Sequence, residues 1–248
     1  MNQYSDFAFV YDELMHDVDY DNWVKYIEDI IKSENVQVQN ILELACGTGN
    51  LTIPLTKKNY DIAGIDISEE MLQVAREKAE KENVELVLLE QDIVELDFDV
   101  TNLDCILCGC DGFNYITYDE DLEGVFVKCH ELLKENGLFI FDISSYYKLS
   151  TVLGNNMYGE NRENVAYMWQ NYFDDYENLV EMDLAFFVKG EDGRFDKFEE
   201  NHLQRAYKNE EIIELLKNAG FKNIKTYGDF KLEAPQKDSE RVFFVCKK

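Results

Sequence analysis

Residues 43–49 read ELACGTG, so two glycines one residue apart follow the apolar run Ile41-Leu42-Glu43-Leu44. Glycine tolerates positive φ, lets a ligand approach the backbone, and weakens strand and helix interiors. Gly47 and Gly49 therefore predict a sharp turn at which something docks. Asp66 comes 17 residues after Gly49 and closes the next apolar run, residues 60–65. A strand, a glycine turn, a helix and an acid closing the following strand make a nucleotide-binding layout. Helix N-terminal N–H groups face the ligand, and the acid accepts from ribose hydroxyls. A dinucleotide needs a third glycine for close helix packing, but the run G-T-G-N-L-T puts Thr52 at that place. Glu43, two residues before Ala45, would also repel a pyrophosphate. A nucleoside carrying a cation and no phosphate suits this turn better than NAD, so an NAD-dependent oxidoreductase is the competing reading.

Other reactive residues read as structural. Cys105-x-x-Cys108-x-Cys110 lacks a second Cys/His pair at finger spacing, and on a strand Cys105 and Cys108 point to opposite faces. Core packing is the reading, and no metal is expected. His130 lies in an expected helix and reads as structural, whereas His202 can face a pocket and is a candidate base. The aromatics Tyr167, Trp169, Tyr172 and Phe173 read as core, with a cage for a cation as the alternative. Asp174-Asp175 and Glu199-Glu200 read as solvated.

Periodicity supplies the elements that position these residues. An amphipathic helix is expected over residues 20–32, with Trp23, Tyr26, Ile27, Ile30 and Ile31 on one face. Strands follow at 40–45, 60–65, 84–89, 104–108 and 138–143. A short helix starts near Asn50, with Pro54 tolerated in its first turn. Another helix is capped by Ser68 and carries Glu69 and Glu70 where the dipole favours them. A further helix covers 121–134 and stops at Glu135-Asn136-Gly137. Alternating strands and helices mean a doubly wound, mainly parallel sheet, an α/β fold. Between 144 and 205 the rhythm breaks. No helix is expected there, and strands at 165–173, 179–188 and 195–204 are joined by turns at 174–178 and 190–193. A helix capped by Asn209 and stopped by Gly220 then precedes strands at 221–227 and 241–246. Residues 1–144 and 205–248 thus form one domain with an N-terminal helical cap, 1–34. Residues 145–204 form a β-rich insertion over the substrate site.

The chain has 248 residues, 46% apolar and 13% aromatic, enough for a sizeable core. Its net charge of −27 comes without a basic stripe, so nucleic acid is not an expected partner. No run of about 18 uncharged apolar residues suggests a membrane span, and the acidic N-terminus does not resemble a signal peptide. Six cysteines away from disulfide spacings suit reduced thiols in the cytoplasm.

Five segments in order resemble the class I S-adenosylmethionine-dependent methyltransferases: ELACGTGN, GIDIS, EQDIVEL, LDCILCGCDGFNYI and LLKENGLFIFDI. FAFVYDELM, AYKNEEIIELLKNAGF and the strand-rich insertion resemble the small-molecule branch of the YqeM-like bacterial type. The resemblance covers nearly the whole chain. It implies a Rossmann-like seven-stranded sheet with the last strand antiparallel, plus an antiparallel insertion after strand 5. It further implies S-adenosylmethionine as cofactor and S-adenosylhomocysteine as product. Gly47 and Gly49, in a turn shared with Ala45 and Cys46, would pass under the methionine part. Glu43 would hold its ammonium, with backbone carbonyls of Cys108 and Gly109 beside it. Asp66 would take both ribose hydroxyls. Asp92, flanked by Gln91, and the Ile93 backbone would read the adenine, with Ile67 and Met71 packed on its faces. Tyr11 is a candidate for the cofactor carboxylate.

No N-P-P-Y-like tetrapeptide follows the fourth strand; CDGFNY stands there. Asp111, Asn114 and Tyr115 are the acceptor-side candidates, beside His202. The expected acceptor is a small molecule with an amine or other electron-rich group. A base is needed only if that group arrives protonated. A module that binds the cofactor without catalysis is the reading from another class.

Overall fold

The structure is a computed structural model and describes residues 8–97, 100–190 and 192–248. Residues 1–7 of the expected N-terminal cap and Glu191 of the expected turn lie outside the described residues.

Two helices open the chain, α1 (Ala8–Leu14) and α2 (Tyr20–Ser33). Asp19 caps α2 by accepting from the Asn22 N–H, and the expected stripe from Trp23 to Ile31 is buried. Then come β1 (Asn40–Leu44), α3 (Thr52–Lys57), β2 (Asp61–Asp66) and α4 (Glu69–Glu82). Ser68 caps α4 by accepting from the Met71 N–H, and left-handed Asn83 ends it. After β3 (Val87–Glu90), β4 (Leu103–Cys108), α5 (Asp119–Leu132) and β5 (Leu133–Ser144) the insertion begins. It holds β6 (Met157–Asn161), β7 (Val165–Asp174), β8 (Leu179–Lys189) and β9 (Phe195–Arg205). The chain closes with α6 (Asn209–Asn218), β10 (Asn223–Gly228) and β11 (Arg241–Lys247).

The main sheet has the order β10-β11-β5-β4-β1-β2-β3. β11, last in the chain, runs antiparallel to both neighbours, and the other six strands share one direction. Strand alternation sends Ile106 and Cys108 into the core beside Phe113, Phe126, Phe139 and Phe141 on one face. Cys105 and Leu107 pack with Trp23, Ile27 and Phe243 on the other. Each large side chain so buried contributes roughly 1.5–3 kcal/mol. The thiols of Cys105 and Cys108 are free and buried on opposite faces, as the core reading requires.

The insertion forms a separate antiparallel sheet, β6-β7-β8-β9. Asn114 joins it to the main body. Its Nδ2 donates to Ser144 O at 3.1 Å and Arg205 O at 2.8 Å, and its Oδ1 accepts from Ser144 N at 2.9 Å. The chain leaves the main sheet at Ser144 and leaves the insertion sheet at Arg205, so one amide pins both crossings.

Four local expectations are corrected. Residues 146–153 are helical, with Leu149 and Leu153 buried one turn apart; the stretch is too short for its period to register in sequence. β6 has no strand signal in the sequence because MYGEN is short and broken by a glycine. β5 starts directly after α5 rather than after Gly137, with Asn136 at φ 62° carrying the irregularity. Asn209 is the first residue of α6 and not its cap: at Lys208 the backbone N–H donates to the Glu211 carboxylate at 2.7 Å.

Candidate active site

At the carboxyl ends of β1, β2 and β4 a cavity of about 780 Å³ opens, in the usual size range for small-molecule sites. The glycine turn forms its floor. Gly47 lies at φ 54° and Gly49 at φ 76°, and Ala45 is also left-handed at φ 53°. A Cβ on Gly47 would meet nothing within 4 Å, so this backbone is bare to the cavity. A Cβ on Gly49 would come within 3.2 Å of Ala75 Cβ, so Gly49 serves the approach of α4 to the turn. It does not line the cavity.

Two carboxylates stand behind this floor. Glu43 is buried, accepts from Thr52 Oγ1 at 2.7 Å, and is pushed up to about 8 chiefly by burial, with the nearby Asp66 charge adding to it. Thr52, which replaces the third glycine of a dinucleotide turn, thus holds the acid that such a turn would exclude. Asp66 accepts from the Gly47 N–H at 2.7 Å through Oδ2 and from the Ser68 N–H at 2.9 Å through Oδ1. Burial raises its pKa, and these N–H groups oppose the shift. Each oxygen keeps a further acceptor position, enough for two hydroxyls. Ile67, Met71, Asp92 and Ile93 line the same end of the cavity. Asp92 Oδ1 also caps the short turn Ile93–Glu95 by accepting from Val94 N at 2.9 Å.

The opposite half lies under the insertion. Tyr167 and Trp169 of β7, Met182, Leu184 and Phe186 of β8 and His202 of β9 line it. The aromatics Tyr167 and Trp169 expected to be core are therefore also cavity wall. His202 is buried, its ring centroid 5.9 Å from that of Tyr115 in an edge contact, and burial lowers its pKa to about 4. The imidazole is neutral at ordinary pH. Between the halves Asp111 accepts from Arg241 Nη1 at 2.9 Å and from Gln204 Nε2 at 3.3 Å. Burial alone would raise the Asp111 pKa; Arg241 and Lys148 outweigh it and hold the group below its usual value. Arg241 also pairs with Asp142 and lies 5.1 Å over the Trp23 ring. Asp142 sits at about 6, raised by burial and the Asp111 charge against the pull of Arg241.

Tyr11, Glu43, Ala45, Cys46, Gly47, Asp66, Ile67, Met71, Asp92, Ile93, Gly109, Asp111, Tyr115 and His202 all line this one cavity. Gln91, Cys108 and Asn114 do not. The Gln91 side chain donates to Asp97 O at 3.1 Å, Cys108 is fully buried, and the Asn114 amide is committed to the crossings. Sequence reading missed Arg241 and Lys148, whose place in the wall has no local signal; Arg241 is 130 residues from Asp111. It also missed Asp12, which reaches Thr48 and Asn50. Among the described residues no cluster of His, Cys, Asp and Glu is arranged to hold a metal, and no helix is long and apolar enough to cross a membrane.

The donor set fits S-adenosylmethionine. Bare backbone at Gly47, a two-oxygen acceptor at Asp66 and a buried carboxylate whose hydrogen bond comes from a neutral hydroxyl match a nucleoside with an ammonium. Residues 41–137 match the methyltransferase domain family. A crystal structure of an S-adenosylmethionine-dependent methyltransferase from Clostridium acetobutylicum ATCC 824 is 40% identical, covers 98% of each chain and superposes with a TM-score of 0.88. YqeM of Bacillus subtilis strain 168, a methyltransferase by name, is 37% identical over 246 residues, 99% of this chain and 97% of its own. Glycine/sarcosine N-methyltransferase of Aphanothece halophytica is 26% identical over 211 residues, 85% of this chain and 76% of its own. Neither the oxidoreductase reading nor the non-catalytic one finds support among these relatives. Sheet order, the acid-backed glycine turn and near-complete coverage by a solved relative lead to one assignment: the chain belongs to the S-adenosylmethionine-dependent methyltransferases.

Proposed function

We propose that the chain transfers a methyl group from S-adenosylmethionine to a small-molecule acceptor enclosed between the glycine turn and the insertion sheet. One observation carries this reading: a single cavity is lined by Gly47 and Asp66 at one end and by Trp169, Phe186 and His202 at the other. In this reading Asp66 takes the ribose hydroxyls, Glu43 the ammonium, and Asp92 with the Ile93 backbone the adenine edge. Ile67 and Met71 pack on the adenine faces, and Tyr11 faces the methionine carboxylate. When bound, S-adenosylmethionine supplies a sulfonium methyl that is already activated for displacement.

What remains for the protein is alignment and exclusion of water, and well-oriented proximity supplies roughly 7–11 kcal/mol of such a barrier. The apolar roof of Tyr167, Trp169, Met182, Leu184 and Phe186 keeps water out. His202, neutral within it, accepts a hydrogen bond from the acceptor nucleophile. The charge of −27 disfavours polyanionic acceptors. The Aphanothece relative, a glycine/sarcosine N-methyltransferase by name, favours an amine. Six free thiols suit a reducing compartment, and the cytoplasm is the proposed location. The test offers labelled S-adenosylmethionine to a metabolite pool, total tRNA and a protein lysate in parallel. Label is expected in the metabolite fraction, and label in tRNA or protein alone would sink the reading.

A further inference from the structure

α1 has seven residues, Ala8–Leu14, too few to persist as an isolated helix in water. Yet its Tyr11 and Leu14 form one wall of the cavity. Two sets of polar contacts hold it there. On the glycine-turn side Asp12 accepts from Thr48 Oγ1 at 2.7 Å, Asn50 Nδ2 at 2.9 Å and Lys78 Nζ at 2.6 Å. On the other side the insertion reaches it. Arg162, between β6 and β7, donates from Nη1 to Glu13 O at 2.6 Å.

The same Nη1 lies 2.7 Å from His16 Nδ1, while His16 Nε2 is 2.9 Å from Asp17 Oδ1. That pattern puts the imidazole proton on Nε2 and leaves Nδ1 to accept. Glu160 accepts from Arg162 Nη2 at 2.6 Å and orients the fork. The backbone of the turn is itself fixed, with Arg162 N donating to Val165 O at 2.9 Å. Glu13 O is one of the last four carbonyls of α1, which a helix leaves without an internal partner. A cation at that end also complements the helix dipole.

We propose that Arg162 is a positioning residue, capping α1 from the insertion and so holding the Tyr11 wall closed over the cofactor half of the cavity. The proposal rests on the reading that S-adenosylmethionine lies against the glycine turn. It has a consequence for coupling. Arg162 adjoins β7, the strand that carries Tyr167 and Trp169 into the acceptor half. An acceptor that shifts β7 therefore acts on α1, and through α1 on the cofactor.

The test uses the full chain with S-adenosylhomocysteine as probe. Its dissociation rate and the amide exchange of residues 8–14 are measured in wild type, Arg162→Ala and Arg162→Lys. Loss of a charged hydrogen bond predicts dissociation about tenfold faster in Arg162→Ala, an intermediate rate in Arg162→Lys, and faster exchange in α1 with β1 and β4 unchanged. Wild-type dissociation and wild-type exchange in Arg162→Ala overturn the proposal. Should that variant not fold, Arg162→Lys decides by the same two readouts. A wild type that binds no S-adenosylhomocysteine counts against the cofactor reading instead, and the exchange of α1 still decides the clamp.

Discussion

Asp66 holds the glycine turn, and the proposed reading gives it a second duty that a substitution tests. It accepts from Gly47 and Ser68 within the turn, and in the proposed reading it also takes two ribose hydroxyls. Asp66→Ala is expected to lower S-adenosylhomocysteine affinity at least 100-fold, since each charged hydrogen bond contributes about 1.5–3 kcal/mol. Calorimetry showing unchanged affinity would place the ribose elsewhere. Glu43 gives a pH signature. Its folded pKa is raised to about 8, so most of it is protonated at neutral pH before an ammonium arrives. Binding then favours the ionised form and expels a proton. Binding enthalpies measured at pH 7 in two buffers of different ionisation enthalpy should differ; identical enthalpies refute the assignment. The same shift makes the ligand-free protein lose stability as pH rises from the ordinary Glu range through about 8. His202 acts with the opposite sign: its pKa is lowered to about 4, so its stabilising share is lost as pH falls from about 6.5 toward 4.

At the scale of elements, the two sheets are joined through Asn114. Removing its amide leaves the Ser144 N–H and two carbonyls without partners in a buried place. Each unsatisfied group costs about 1–3 kcal/mol. Asn114→Ala is therefore expected to destabilise by more than about 3 kcal/mol, read from urea unfolding, whereas the half-exposed Tyr115 should tolerate alanine at under about 1 kcal/mol. Equal effects would contradict the pinning role. These elements also show where local sequence signals sufficed. α2 is legible from its apolar period, and α4 from the cap at Ser68 with Glu69 and Glu70 in its first turn. The helical stretch 146–153 and β6 are not, because their order depends on packing against β7 rather than on a pattern of their own.

Across the whole molecule, a net charge of −27 opposes compaction by self-repulsion. Screening shortens to about 3 Å at 1 M salt, so added sodium chloride is expected to raise the melting temperature. A fall would mean that the surface ion pairs contribute more than the repulsion costs. S-adenosylhomocysteine at about 100 times its dissociation constant should add ~2.7 kcal/mol of stability, and NAD should add none. A thermal shift with NAD alone would overturn the assignment.

The alternation of strands and helices, the glycine turn and its acids were set by the sequence itself. Each depends on interactions within a βα unit: a period of two, a glycine where φ is positive, an acid at a strand end. The same is true of Asp66, which is only 19 positions from the Gly47 N–H that it accepts. The cavity half under the insertion, and the contact that ties α1 to the insertion, were decided by tertiary structure. Asp111 meets Arg241 and Gln204 across 130 and 93 positions, and Arg162 meets Glu13 across 149. No local pattern records such pairs, because their geometry exists only once β11 has entered the sheet beside β5 and the insertion has folded back over the strand ends.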